Sequence, residues 1–519
     1  MSKTRGRLTA MILTWLAISG AAAAAPALTP VVQTASGPVQ GLIKDGTRQF
    51  LGLPFARPPV GPLRWRPPET PTRWTAVRKA TAFGPSCPQG HDIGDFAKPS
   101  ETEDCLYLNV YAPLKSSKAP RAVMVWFPGG ALFAGAADDY DGARLARQGD
   151  VVLVTLNYRI GVLGFFAHPA IDAEGHPGGN YGIQDQQAAL RWVRDNIARF
   201  GGDPKNVTIF GQSAGGTSVV ANLLAPGSAG LFHRAINQSG ARLVVPTRAD
   251  AQKIGTRFAT DAGCTDQSAD CLRGLSAKDI VRVQPGHFAS LMVDGDTVLE
   301  QPHLAFKAGR FSKVPVLIGV AADEQGFFLA VAQEKAGYAA LTAEGYQIYL
   351  KTAFGPNAEA VARVYPPGGR ASPSLDEMAA AQSVRGCAMH QLAGWTAAHT
   401  PVYTFQFDDR TAPSYLPPQP YPLGAYHTAE ILYLFPLFKG GLGTAHPLNA
   451  AQEKLADRMI ATWAGFARTG NPNLGGSTAW PAFDPKRDNV QSLDIPGFKP
   501  VDGYAERYHC ALFDRISGL

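Results

Sequence analysis

Residues 206–215 read Asn-Val-Thr-Ile-Phe-Gly-Gln-Ser-Ala-Gly. The first five, Asn206 to Phe210, have the length and the β-branched content of a buried strand. They run directly into Gly211-Gln212-Ser213-Ala214-Gly215, and small residues follow from Gly216 to Leu224 at a spacing that starts a helix. A strand that turns sharply into a helix forces the residue at the corner into a strained backbone conformation. It also brings neighbouring chain so close that side chains at positions 211 and 215 would collide, which is why both are glycine. The corner lifts the Ser213 hydroxyl clear of the sheet and points the Ala214 N–H at the oxygen of a bound carbonyl. Ser213 is therefore the candidate nucleophile.

Other elements extend this unit in both directions. Ala122 to Phe127 is a short apolar run closed by Pro128-Gly129-Gly130, and Val151 to Leu156 is another, closed by Asn157-Tyr158. Both are too short for helices and read as buried strands. Ile183 to Phe200 carries apolar residues at helical spacing and stops at Gly201-Gly202. Strands alternating with helices predict an α/β chain with a mostly parallel sheet and helices on both faces. A further strand is expected at Val314 to Val320. The stretches from Ala241 to Gly309 and from Ala330 to Trp395 read as helices and loops that cap the sheet. Pro and Gly are spread along the chain and no internal repeat stands out, so one domain is expected over residues 26–519.

A serine hydroxyl needs a base. Where the nucleophile sits on such a corner, the α/β-hydrolase pattern, the chain order is serine, acid, histidine. Of eleven histidines, His390, His399, His427, His446 and His509 lie late enough. His390 sits in a helix-like stretch beside Cys387 and reads as structural. His427 lies in Gly424-Ala425-Tyr426-His427, a loop feeding the apolar segment Ile431 to Phe435, where a base can be presented. Asp323 and Glu324 follow the strand expected to end at Val320, and either carboxylate suits the acid; spacing does not choose between them. Pro128-Gly129-Gly130-Ala131 follows a strand and offers small residues whose N–H groups can approach an oxyanion.

The N-terminus reads as a leader. Lys3, Arg5 and Arg7 precede the apolar run Leu8 to Ala21, and small residues to Ala25 suit signal peptidase. Residues 1–25 are expected to be removed, with the cut between Ala22 and Ala27, leaving no stable membrane anchor. They contain three basic and no acidic residues, so their loss lowers the formal charge of +6 by three, to +3. That balance, with no Lys/Arg cluster, argues against a nucleic-acid partner. With 45% hydrophobic and 17% charged residues the chain has material for a large core. Six cysteines behind a leader read as disulfides in an oxidising compartment, secreted or periplasmic. Their separations suggest Cys87–Cys105, Cys264–Cys271 and Cys387–Cys510, among fifteen possible pairings. No Cys-x-x-Cys or His-Glu-x-x-His spacing points to a metal.

With these residues in view, the chain resembles the type-B carboxylesterase, or cholinesterase-like, family, of the bacterial secreted kind, from about Val32 to Phe513. The resemblance rests on ordered segments: Phe50-Leu51-Gly52-Leu53-Pro54-Phe55-Ala56; Glu103-Asp104-Cys105-Leu106-Tyr107-Leu108-Asn109-Val110; Asn157-Tyr158-Arg159; Gly179-Asn180-Tyr181-Gly182 with Asp185-Gln186; Phe200-Gly201-Gly202-Asp203-Pro204; Phe210 to Gly216; and Gln238-Ser239-Gly240. It implies an α/β-hydrolase fold and a serine carboxylesterase without cofactor. It implies Glu324 as the acid, His427 as the base, Gly130, Ala131 and Ala214 as oxyanion donors, and the same three disulfides. Pro128 and Ala131 depart from the family's usual residues. The Cys87–Cys105 loop holds no Trp, so the ring that would stack on a choline ester is missing there.

The substrate expected is a small-molecule ester, and an amide or carbamate is the alternative because the same acyl-enzyme forms. An interfacial lipase would need a large apolar lid, whereas Pro88-Gln89-Gly90-His91-Asp92 is polar and Gly-rich. A non-catalytic binding protein of the same fold would lack members of the triad. Phe133, Phe327, Phe328 and Trp395 are candidates either for lining the pocket or for the core, Phe133 foremost because it follows the oxyanion loop.

Overall fold

A computed structural model describes residues 27–519 apart from 92, 288–289, 336–340, 474–479 and 502. The expected leader lies outside the described residues. One sheet holds eleven strands. In chain order these are β1 (Leu42–Lys44), β2 (Thr47–Pro54), β3 (Tyr107–Pro113), β4 (Arg121–Phe127), β5 (Val152–Leu156), β6 (Gly202–Gln212), β7 (Arg234–Gln238), β8 (Val316–Ala321), β9 (Val402–Phe407), β10 (Val490–Leu493) and β11 (Phe498–Val501). Their spatial order is β11-β10-β9-β8-β7-β6-β4-β5-β3-β2-β1. From β10 to β5 all neighbours are parallel. The pairs at both margins are antiparallel. This is the α/β-hydrolase fold.

The centre of the sheet explains why its strands read as unbroken apolar runs. Every residue of β4 and β5 is buried. Along β4, Val123, Val125 and Phe127 join one core cluster, while Met124 and Trp126 join another. Successive side chains point to opposite faces, so both faces are covered and the residues are apolar but for Arg121, paired with Asp150, and Thr155, which accepts from Asn109.

The crossover after β5 carries helix α1 (Tyr181–Asn196), which tightens into a 3-10 turn, Ile197–Phe200, and stops at Gly201 with φ +90°. The helix expected over 183–200 is thus an α-helix with a tightened last turn. Helix α2 (Ala214–Leu224) follows the serine. Two expected strand limits differ. β6 starts at Gly202, ahead of Asn206, because Pro204 falls where the register with β4 shifts and no ladder N–H is required of it. β8 starts at Val316, after Val314, because Pro315 has no N–H to give a neighbour.

The long β7–β8 and β8–β9 connections are the expected excursions. The second contains α3 (Gln325–Lys335) and the long α4 (Pro373–Ala397). Beyond β9 come α5 (Ile431–Leu434) and α6 (Ala450–Thr469). All three suggested disulfides are present. A buried ion pair ties the chain after β5 to α1. Arg159 Nε and Nη2 donate to the two Asp185 carboxylate oxygens at 2.8 and 2.7 Å, and the Arg159 N–H adds a third bond at 2.9 Å.

Candidate active site

Parallel sheets place ligands beyond the carboxyl ends of their strands. The predicted site residues gather there, each on the loop that leaves a central strand. Ser213 follows β6 and takes φ 58°, ψ −119°, a region L-residues rarely occupy. Its N–H donates to Gln238 O on β7 at 2.8 Å, which holds the corner. The distances at the corner show why glycine is required. A Cβ on Gly211 would lie 2.6 Å from the carbonyl carbon of Gly215, and one on Gly215 would lie 2.0 Å from Phe127 O.

The loop after β4 is strained as well. Gly130, Ala131 and Leu132 have φ of 111°, 54° and 66°. Phe133 and Ala134 N–H both donate to Gly130 O, at 3.0 and 2.8 Å, and Gly161 N–H donates to Leu132 O at 2.7 Å. The turn is therefore fixed before any ligand arrives. Gly130 and Ala131 line the same cavity as Ser213. Ala214 opens α2, where the first N–H groups have no acceptor within the helix.

The two carboxylates after β8 have different partners. Glu324 is 1% exposed, and its Oε2 meets Nδ1 of His427, itself 3% exposed, in a short hydrogen bond. Its other oxygen, Oε1, accepts from Ser239 Oγ at 2.6 Å and from the Ala321 N–H at 2.8 Å. Asp323 turns away. Its Oδ2 accepts from the Ala425 N–H at 3.0 Å and pairs with Arg410 at 2.9 Å. Burial alone would raise the Glu324 pKa, but His427, Arg385 and the Ser239 hydroxyl outweigh it and leave the carboxyl below its ordinary range. The Gln212 amide nitrogen lies 3.3 and 3.4 Å from the two His427 ring nitrogens. His390 lies on α4 and bonds Asp488 at 2.9 Å, a structural position.

Ser213 and His427 both open on an apolar cavity of about 310 Å³. Phe133, Phe327 and Phe328 line it; Trp395 does not. Trp395 packs against the core instead, under the Lys307 ammonium. The polar reading of the Cys87–Cys105 loop holds only for its first half, because Ile93 and Phe96 of the same loop line the apolar cavity.

The profile of the carboxylesterase family matches residues 28–511. The chain belongs to the carboxylesterase family. It is 36% identical to a mouse acylcarnitine hydrolase over 91% of this chain and 88% of that one. It is 35% identical to the para-nitrobenzyl esterase of Bacillus subtilis over 89% and 94%. Against a human cocaine esterase the identity is 34%, over 98% and 95%. A solved thermophilic PNB esterase superposes with a TM-score of 0.78 at 33% identity, covering 92% of this chain and 99% of its own. The chain is thus a carboxylic ester hydrolase.

Sequence reasoning placed Ser239 and Glu430 in family-like segments, the latter with His427, but gave neither a role in this carboxylesterase-family site. Ser239 stood inside a family segment, but its hydroxyl contact with Glu324 depends on how β7 and β8 lie side by side. Glu430, three residues past His427 in the turn that leads into α5, is a buried carboxyl whose pKa rises to about 8, first through burial and then through the charge of Glu324. Its Oε1 accepts from Gln238 Nε2 at 3.4 Å, and Gln238 in turn accepts from Trp463. Among the described residues no three His, Cys, Asp or Glu are placed to hold a metal, and no helix is long and apolar enough to cross a membrane.

Proposed function

We propose that this chain is a secreted serine carboxylesterase acting through an acyl-enzyme on Ser213. The observation that carries the reading is the Glu324–His427 hydrogen bond opening on the same cavity as a serine held at φ 58°. Glu324 binds Nδ1 and fixes the imidazole tautomer, which leaves Nε2 to take the serine proton. The Ser213 oxygen attacks the ester carbonyl, and the negative charge that develops meets the N–H groups of Gly130, Ala131 and Ala214. Such preset donors are worth about 3–4 kcal/mol each to the transition state. His427 then protonates the leaving alcohol. Water, activated by the same imidazole, releases the acid and restores the serine. Glu324 and Ser239 stay in place throughout; their work is orientation and charge.

Three disulfides and the leader-like N-terminus support export to an oxidising compartment. N-terminal sequencing of secreted protein tests that part, and a retained Lys3 would overturn it. The chemical part is tested by mixing enzyme with para-nitrophenyl acetate and quenching early. The expected result is a burst of nitrophenol equal to the enzyme present, with an acetyl group on the peptide that contains Ser213. Full turnover by a folded Ser213→Ala variant would refute the assignment.

A further inference from the structure

The site has a second compartment, of about 300 Å³, on the other side of the same four residues. Ala131, Ser213, Phe328 and His427 line both spaces, so an ester held at Ser213 extends one part into each. The two spaces differ in chemistry. The second is lined by Thr217, Ser239, Arg242 and Arg385, and by no carboxylate.

Its two arginines are unusual. Arg385 projects from α4, half-buried, with its guanidinium carbon 4.1 Å from the Phe328 ring centroid and one long hydrogen bond, 3.4 Å, to Gln325. Arg242 stands on the loop after β7 and is exposed to solvent. Neither has a carboxylate within salt-bridge distance among the described residues, although most other arginines near the core do. Loss of solvent, then the charge of Arg385, holds the Arg242 guanidinium below its ordinary value. Arg385 has only the already engaged Glu324 as a nearby opposite charge and Arg242 has none, so an anion entering between the two guanidiniums is favoured. Glu324 lines a small space together with Ser239 and Arg385, and His427, Ser239 and the Ala321 N–H already engage its oxygens.

We infer that the preferred esters of this enzyme carry a carboxylate on the part of the molecule that enters the arginine-lined compartment, with the apolar part held among Phe133, Phe327 and Phe328. This deepens the esterase reading and rests on it. A competing role is that the arginines only keep Glu324 ionised. Arg385 does act on Glu324, but Arg242 is not among the groups that shift it, so Arg242 separates the two roles.

The test uses two pairs of esters on the full-length secreted protein. Para-nitrophenyl hemiglutarate is compared with its terminal carboxamide, which puts the charge on the acyl side. Meta-carboxyphenyl acetate is compared with meta-carbamoylphenyl acetate, which puts it on the alcohol side. In one pair the carboxylate is expected to be preferred by about tenfold in kcat/KM, carried by KM, since a charge-assisted hydrogen bond is worth that much. The pair that responds tells which half of the ester occupies the compartment. Arg242→Gln should bring that ratio towards one, and Arg242→Lys should restore part of it. Ratios at or below one in both pairs, or a ratio unmoved by Arg242→Gln, would overturn the inference while para-nitrophenyl butyrate hydrolysis kept the esterase reading intact. Inertness towards para-nitrophenyl butyrate as well would remove both.

Discussion

One wall of the apolar cavity is built from backbone, the opposite wall from side chains. Gly130, Ala131 and Ser213 lie on turns with positive φ; Ser213 is pinned by a hydrogen bond to β7, and Gly130 by two bonds within its own loop. Ile93, Phe96, Phe327 and Phe328 come from a disulfide loop and the start of α3, and they contribute only apolar surface. In the proposed mechanism the chemistry falls on the first wall, where turns with positive φ hold the main chain. Selectivity then falls on the second, where a changed side chain alters shape without moving the reacting atoms. The catalytic wall should therefore tolerate almost nothing and the opposite wall a good deal.

The largest effect is expected at the acid. Glu324→Gln keeps the shape but loses the charge that fixes the His427 tautomer, and kcat should fall by about 10³- to 10⁴-fold in steady-state assays. The pH profile bears on the same group. A carboxyl held below its unfolded pKa adds stability above that pKa, and the contribution disappears as pH falls through the lower folded value. Activity and thermal stability should both decline on that acidic limb in the wild type, and the variant's stability should not follow it.

Next comes the corner itself. Gly215→Ala drives a methyl into Phe127 O, and a loss of about 3 kcal/mol or more is expected in urea unfolding, because backbone cannot yield as a side chain does. Ser239→Ala removes one donor from the Glu324 carboxylate. A decrease of about tenfold in kcat with KM unchanged is expected, together with an upward move of the acidic limb, which a purely structural defect would not produce. On the opposite wall, Phe328→Leu should shift KM between short and long esters by only about threefold, or less than 1 kcal/mol, and leave the melting temperature within a few degrees.

The smallest effect is expected at Glu430. Its carboxyl holds a proton more tightly folded than unfolded, so its stabilising contribution is complete below about pH 4.5 and fades as pH rises towards 8. Glu430→Gln should change kcat little near neutrality and flatten the stability curve between those limits, measured by thermal melts across pH.

This division between the walls also governs how much of the site the chain spells out locally. Gly211, Gly215 and Gly130 are dictated by steric need, so the corner and the oxyanion loop are legible at the residue level. The central strands are legible because burial on both faces leaves only apolar choices, as in Ala122 to Phe127. Spacing does not separate Asp323 from Glu324, since adjacent residues differ in direction and not in position. Family resemblance points to Glu324, and it is Glu324 that meets His427, while Asp323 meets Ala425 and Arg410. Ser239, Arg242, Arg385, Ile93 and Phe96 are not legible as lining residues. Each reaches the site through a contact between segments distant in the chain, and no local pattern marks it. Trp395 stays ambiguous in sequence for the same reason: an aromatic in a cap reads alike whether it faces the ligand or the core.

The neighbour of the acid has a quieter job. Asp323 and Ala425 exchange hydrogen bonds in both directions, N–H to O at 2.9 Å and N–H to carboxylate at 3.0 Å. The two loops are latched one residue before the acid and two before the histidine, so the imidazole is hung from the same hinge-pin as its partner. Two adjacent carboxylates of the same formal charge thus have non-interchangeable reach. Combining Asp323→Glu with Glu324→Asp would preserve composition, yet one arm would overshoot the latch and the other would fall a methylene short of the ring.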